Sequence, residues 1–74
     1  MIVILEFFRQ APRDENRVIV ATEERTFETI QVAVSYALGS INNVIFNGKR
    51  ADGCLIKSRQ GAPIFEVRRD GDQS

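Results

Sequence analysis

The chain reads as an α+β protein, with a single four- or five-stranded sheet, one helix packed across it and the order ββαββ(β). Three observations carry that reading. Residues 1–9 and 17–21 are runs of branched and aromatic residues separated by a polar, proline-bearing stretch. Residues 27–38 repeat apolar groups at helical spacing, and the remaining half consists of short apolar runs punctuated by Asn47-Gly48, Asp52-Gly53 and Gly61-Ala62-Pro63. A chain of 74 residues has room for one compact core, since at this size only about 60% of the unfolded surface is buried. One domain over residues 1–70 is therefore expected, with 71–74 as a disordered tail.

In the first run Val3, Leu5 and Phe7 share one face of an extended segment, and Ile2, Ile4, Glu6 and Phe8 share the other. Both faces are largely apolar, as in a strand at the centre of a sheet. Residues 10–16 include Pro12 and read as a surface loop. Val18, Ile19 and Val20 then give the second strand, which makes an antiparallel hairpin the economical arrangement. Thr26 is placed to cap a helix, with Glu28 favourable at its positive end and Gly39 as its stop. Phe27, Ile30, Val34, Ala37 and Leu38 form the stripe that would lie on the sheet, leaving Val32 and Tyr36 pointing outward. Residues 43–46 read as a third strand turned back by Asn47-Gly48, the pair best suited to positive φ. A short strand over 54–57 and a last one over 64–69 follow. In the last strand Phe65 and Val67 face away from Ile64, Glu66 and Arg68.

Composition excludes several kinds of chemistry. The sequence contains no His and one Cys, so neither Ser/His nor Cys/His catalysis, nor an internal disulfide, can be assembled. Cys54 sits in an apolar run and reads as a core thiol. Adjacent carboxylates such as Asp14 and Glu15 or Glu23 and Glu24 point apart in loop or strand and read as solvated charges. The glycines at Gly48 and Gly53 precede strands, whereas a phosphate loop feeds a helix. No enzyme, metal site or cofactor is expected. The longest apolar stretch, residues 2–5, is far short of the roughly 20 residues that span a bilayer, so a cytoplasmic chain without a membrane partner is expected.

Ten basic groups balance ten acidic ones, which argues against a general polyanion binder. The distribution is uneven, because residues 1–37 hold four bases against six acids and the remainder six against four. Lys49, Arg50, Lys57, Arg59, Arg68 and Arg69, flanked by Phe46 and Phe65, are the candidate anion contacts of a nucleic-acid accessory protein. A non-enzymatic protein-interaction module, with a protein partner or a second copy of itself, is the leading reading. Val32 and Tyr36 belong to its candidate interface.

The segment Val44-Ile45-Phe46-Asn47-Gly48-Lys49-Arg50-Ala51-Asp52-Gly53 resembles the ubiquitin family, which carries a similar apolar-Ile-Phe-x-Gly-Lys strand and turn followed by Asp-Gly. An initial hairpin, the Thr26-Phe27-Glu28-Thr29-Ile30 helix start and a final strand with Val67, Arg68 and Arg69 fall in the corresponding order. The resemblance implies a β-grasp-like fold with first and last strands parallel and adjacent. It would also make Ile45, with Val67 nearby, part of a partner-binding patch on the outer sheet face. The family ends in Gly-Gly, whereas this sequence ends Asp70-Gly71-Asp72-Gln73-Ser74, so a modifier or carrier role is the remote alternative. A looser resemblance, through Ala51-Asp52-Gly53-Cys54, Ile56, Gly61 and Ile64-Phe65-Glu66-Val67, is to small α-proteobacterial proteins of ββαββ order that have no assigned activity. It implies a bacterial source and no function. Beside the β-grasp order stands a two-hairpin alternative, in which the final strands pair chiefly with each other.

Overall fold

A computed structural model describes residues 1–10, 13 and 15–69. The elements are β1 (Ile2–Arg9), β2 (Val18–Thr26), α1 (Ile30–Asn43), β3 (Ile45–Phe46), β4 (Lys49–Arg50), β5 (Gly53–Ser58) and β6 (Pro63–Arg68). Four strands form one sheet in the order β2-β1-β5-β6, and β3 and β4 form a separate two-stranded ladder. Every pairing is antiparallel. The chain is thus α+β, with the helix after the first two strands. Of the two strand arrangements considered from the sequence, it adopts the one in which the final strands pair with each other. Here β1 lies beside β5, and β6 occupies the edge. The expected tail at 71–74 and most of the Pro12 turn lie outside the described residues.

β1 is central because both of its faces are apolar enough to be buried. Val3, Leu5 and Phe7 face the helix together with Cys54 and Ile56 of β5 and Val67 of β6, all with at most 1% exposure. Burying such side chains contributes about 1.5–3 kcal/mol each. Phe46 closes one end of this core by stacking on Phe7, with ring centroids 4.8 Å apart. Its position follows from the Asn47-Gly48 turn, whose φ values of 51° and 79° are those of the reversal that matches strand twist.

The helix begins three residues later than the sequence suggests. The amide of Phe27 donates to the carbonyl of Met1 at 2.9 Å, so Thr26 and Phe27 prolong the β1–β2 ladder and Thr26 cannot cap. Thr29 caps instead, its Oγ1 accepting from the amide of Val32 at 3.2 Å. Gly39 does not stop the helix, which continues to Asn43. The reason is tertiary: Ser40 and Ile41 are buried against the sheet, and that burial outweighs the roughly 1 kcal/mol that glycine costs inside a helix. The buried line is Ala33, Ala37, Ser40 and Ile41, with Ile30, Val34 and Leu38 half-buried beside it. Small residues sit where helix and sheet approach most closely, while the larger ones fill the flanks.

Asp52 locks three segments together. Its amide donates to the carbonyl of Phe8 at 2.7 Å, and its own carbonyl accepts from the amide of Arg69 at 2.9 Å. Its carboxylate accepts from the amide of Gln10 at 2.8 Å and from the Arg69 guanidinium at 2.9 Å. The turn expected at Asp52-Gly53 is therefore also the clasp joining the ends of β1, β5 and β6.

Candidate functional site

Alternation along β1 sends Ile2, Ile4, Glu6 and Phe8 to the face opposite the helix. Cross-strand pairing fixes their companions there. Ile4 lies between Glu24 of β2 and Lys57 of β5, Glu6 between Thr22 and Leu55, and Phe8 between Ile19 and Gly53. Leu55 is followed by Glu66 and Gly53 by Arg68 on β6. The register slips between Phe7 and Phe8, where Val20 of β2 falls outside the one-to-one pairing with β1. No element of the described chain packs over this face.

Phe8 is nevertheless fully buried. Its ring lies across Gly53, where an added Cβ would stand 2.5 Å from the end of the ring and 2.7 Å from the Val67 carbonyl oxygen. Two guanidinium groups form its lid, Arg17 at 4.2 Å and Arg68 at 5.6 Å from the ring centre. Glu66 holds both in place, accepting from Arg17 at 2.7 Å and from Arg68 at 2.8 Å on its two carboxylate oxygens. The side-chain oxygen of Gln10 accepts from the same two arginines, at 3.2 Å each. Burial alone would raise the Glu66 pKa, but bonding to Arg17 and the charges of Arg17 and Arg68 outweigh it and hold the carboxyl below its usual range. Lys57 and Glu6 make a further ion pair at 3.0 Å. Around these polar groups Ile2, Ile19 and Ile64 stay exposed, Ile19 and Ile64 at 48% and 44%.

The residues singled out from the sequence do not form one patch. Val67 is 1% exposed and packs toward the helix, so the expected pairing with Ile45 on an outer sheet face is corrected. The alternation of β6 puts Phe65 and Val67 on the helix side, where Val67 is buried and Phe65, farther along the edge strand, stays exposed. Ile45 is exposed at 58%, but it sits on β3 in the small ladder, away from the four-stranded sheet. Val32 is exposed on the helix, whereas Tyr36 leans down to the sheet edge. The Tyr36 hydroxyl donates to Glu23 at 2.8 Å, its ring lies 5.4 Å from that of Phe27, and the Arg25 guanidinium stands 4.8 Å over it. Burial and the bond to Glu23 push the Tyr36 pKa up.

The six candidate anion contacts are also dispersed. Lys57, Arg68 and Arg69 are paired with Glu6, Glu66 and Asp52. Arg50 donates to the Asn42 carbonyl at 2.8 Å. Lys49 and Arg59 are exposed without an ion pair among the described residues, Lys49 on β4 and Arg59 in the turn between β5 and β6. Cys54 is buried, and desolvation, aided by Glu23 and Glu6, pushes its thiol up to about 12, the reverse of what a nucleophile needs. Among the described residues no group of three or more Asp, Glu or Cys side chains is placed to hold a metal ion, and no helix is long and apolar enough to cross a membrane.

Sequence reasoning missed Gly53 and Arg17 as partners of Phe8, and Ile4, Ile19, Leu55 and Ile64 as neighbours. The alternation of β1 carried the signal, but only the strand register brings these residues together. No family model, curated protein or solved structure matches the chain.

Proposed function

We propose that the chain is a non-enzymatic protein-interaction module whose docking surface is the open face of the four-stranded sheet. One observation carries this reading: one face of the sheet is covered over its centre by the helix, with Val18 and Phe65 exposed at its edges, while the other has no helix over it and leaves Ile2, Ile19 and Ile64 exposed around half-buried Ile4 and Leu55. Exposed apolar groups gathered on one open face mark association surfaces. The polyanion reading draws less support, because Lys57 and Arg69 are each paired with a carboxylate of their own and Arg68 shares Glu66 with Arg17, so the six bases do not form one free cationic patch. The compartment that fits is the cytoplasm, where a lone thiol such as Cys54 stays reduced.

The test is affinity capture from native lysate with nuclease and at high salt, using three forms: the unaltered chain, Ile2→Lys/Ile64→Lys, and Val32→Lys as a helix control. The expected result is a protein that survives both treatments, is lost with the sheet-face variant and is kept by Val32→Lys. Capture abolished by nuclease would overturn the reading in favour of nucleic acid. Capture lost with Val32→Lys alone would move the interface to the helix.

A further inference from the structure

We infer that the occupant of the open face is a second copy of this chain, packed face to face about a two-fold axis. The inference rests on the interaction reading above and adds the partner's identity.

The argument starts from charge. On the open face Glu6 is neutralised by Lys57, and Glu66 is shared by Arg17 and Arg68, which leaves one guanidinium charge in excess. Glu24, exposed on the same face, has no ion pair or hydrogen bond among the described residues. The face is thus neutral as a whole, with a spare acid on one edge strand and a spare base on the other. A partner that fits it must carry a base over Glu24, an acid over Arg68 and, between them, groups that match Ile4, Leu55 and the Glu6–Lys57 pair. A second copy of the same face has that composition, as the self-complementary interface of a two-fold dimer requires.

Register makes the symmetry specific. Glu24 is level with Ile4 on β2, and Arg68 is level with Phe8 on β6. Those corners are separated by four residues along the strands, about 13 Å, and by three strand spacings, about 14 Å. The other two corners are Ile19, level with Phe8 on β2, and Ile64, beside the Lys57–Pro63 pair on β6. The near-equal separations put the exchanging axis on the Ile19–Ile64 diagonal, so the strands of the two copies cross close to 90°, one of the two stable ways for sheets to pack. About that axis each Glu24 faces the other copy's Arg68. Each Ile19 and each Ile64, the exposed aliphatic corners, meets its own counterpart.

Size sets the strength. Four strands of about six residues present roughly 400 Å² per copy, about half the usual ~800 Å² per partner. The dimer is therefore weak and reversible, and the measurement has to reach high protein concentration.

The experiment is sedimentation equilibrium over a concentration series up to about 1 mM, a range in which weak dimers fill. It uses the unaltered chain, Glu24→Arg, Arg68→Glu, and an equimolar mixture of the two variants, with circular dichroism on each. The unaltered chain is expected to dimerise. Each variant alone sets like charges against each other at both symmetric contacts and should dimerise at least about tenfold more weakly. In the mixture the introduced arginine of one variant meets the introduced glutamate of the other, and the retained Arg68 meets the retained Glu24 at the second contact. Both contacts are thereby restored and the original dimer should be recovered, a rescue that an unfolded variant could not give. An unaltered chain that stays monomeric throughout would overturn the inference, as would folded single variants that dimerise normally or a mixture of folded variants that fails to recover. Monomer combined with capture that depends on Ile2 and Ile64 would overturn only the second copy and leave the interaction reading in place.

Discussion

Phe7 and Phe8 are neighbours in sequence, both fully buried, and they face opposite sides of the same strand. Phe7 is covered by the stacked ring of Phe46 and the helix-side core. Phe8 is covered by a glycine beneath it and two guanidinium groups above. The first kind of burial removes water permanently with apolar matter. The second uses charged side chains held by Glu66 and Gln10, which seal one ring and leave the surrounding isoleucines in solvent. Complete burial therefore marks the structural centre on one face, while on the other it marks the rim of a surface still open to a partner.

The two faces can be broken separately. Phe7→Ala should have the largest effect, about 3–5 kcal/mol of stability by chemical denaturation, because it opens a cavity in a core that cannot fully collapse. Alkali attacks the same face through Cys54. Its pKa is raised on folding from 9.0 to about 12, so the native state holds the proton more tightly, and the stability it contributes is complete below pH 9 and lost as pH rises toward 12. Melting temperatures across that window should fall less steeply in Cys54→Ala.

On the open face Gly53→Ala should cost about 1–3 kcal/mol by forcing apart Phe8 and the Val67 carbonyl. Equal stability in the alanine variant would mean that Phe8 has another place to lie. Arg17→Ala should cost about 1 kcal/mol through the lost cation–π contact and ion pair, with Arg17→Lys only partly restoring it. Acid gives the smallest effect. The folded Glu66 carboxyl titrates below its unfolded counterpart, so its contribution is present at neutral pH and declines as pH drops through the ordinary carboxylate range toward the folded value. Stability measured over that range should depend less on pH in Glu66→Gln. Alkali thus probes the covered face and acid the open one.

Much of the covered face was legible in the sequence. The alternation of Val3, Leu5 and Phe7, the Asn47-Gly48 reversal and the parity of Phe65 and Val67 are local patterns, and local patterns survive folding when tertiary contacts agree with them. Where they disagreed, the sequence misled. Thr26 looks like a cap, but Phe27 is tied to Met1 across the hairpin. Gly39 looks like a stop, but Ser40 and Ile41 are needed against the sheet. Val67 looked like interface by resemblance to another family, although its own alternation placed it inside. The open face was legible only as the separate alternations of β1 and β6, since Gly53, Arg17 and Arg68 meet Phe8 through pairings that span most of the chain.

The central position of β1 has a consequence for how the chain is made. Its pairing with β2 can form once residue 26 is available, but its pairing with β5, which joins Val3 to Ser58, waits for the second half of the chain. At the usual synthesis rate of about 5–20 residues per second that interval lasts roughly 2–6 s. Throughout it the most apolar strand of the protein presents a bare edge, the kind of template on which nascent chains stick to one another. Glu6 is the single charge between Ile2 and Phe8, and its partner Lys57 arrives only with β5. Until then it stands unneutralised in the middle of that edge, as a gatekeeper that makes every premature pairing bury a charge.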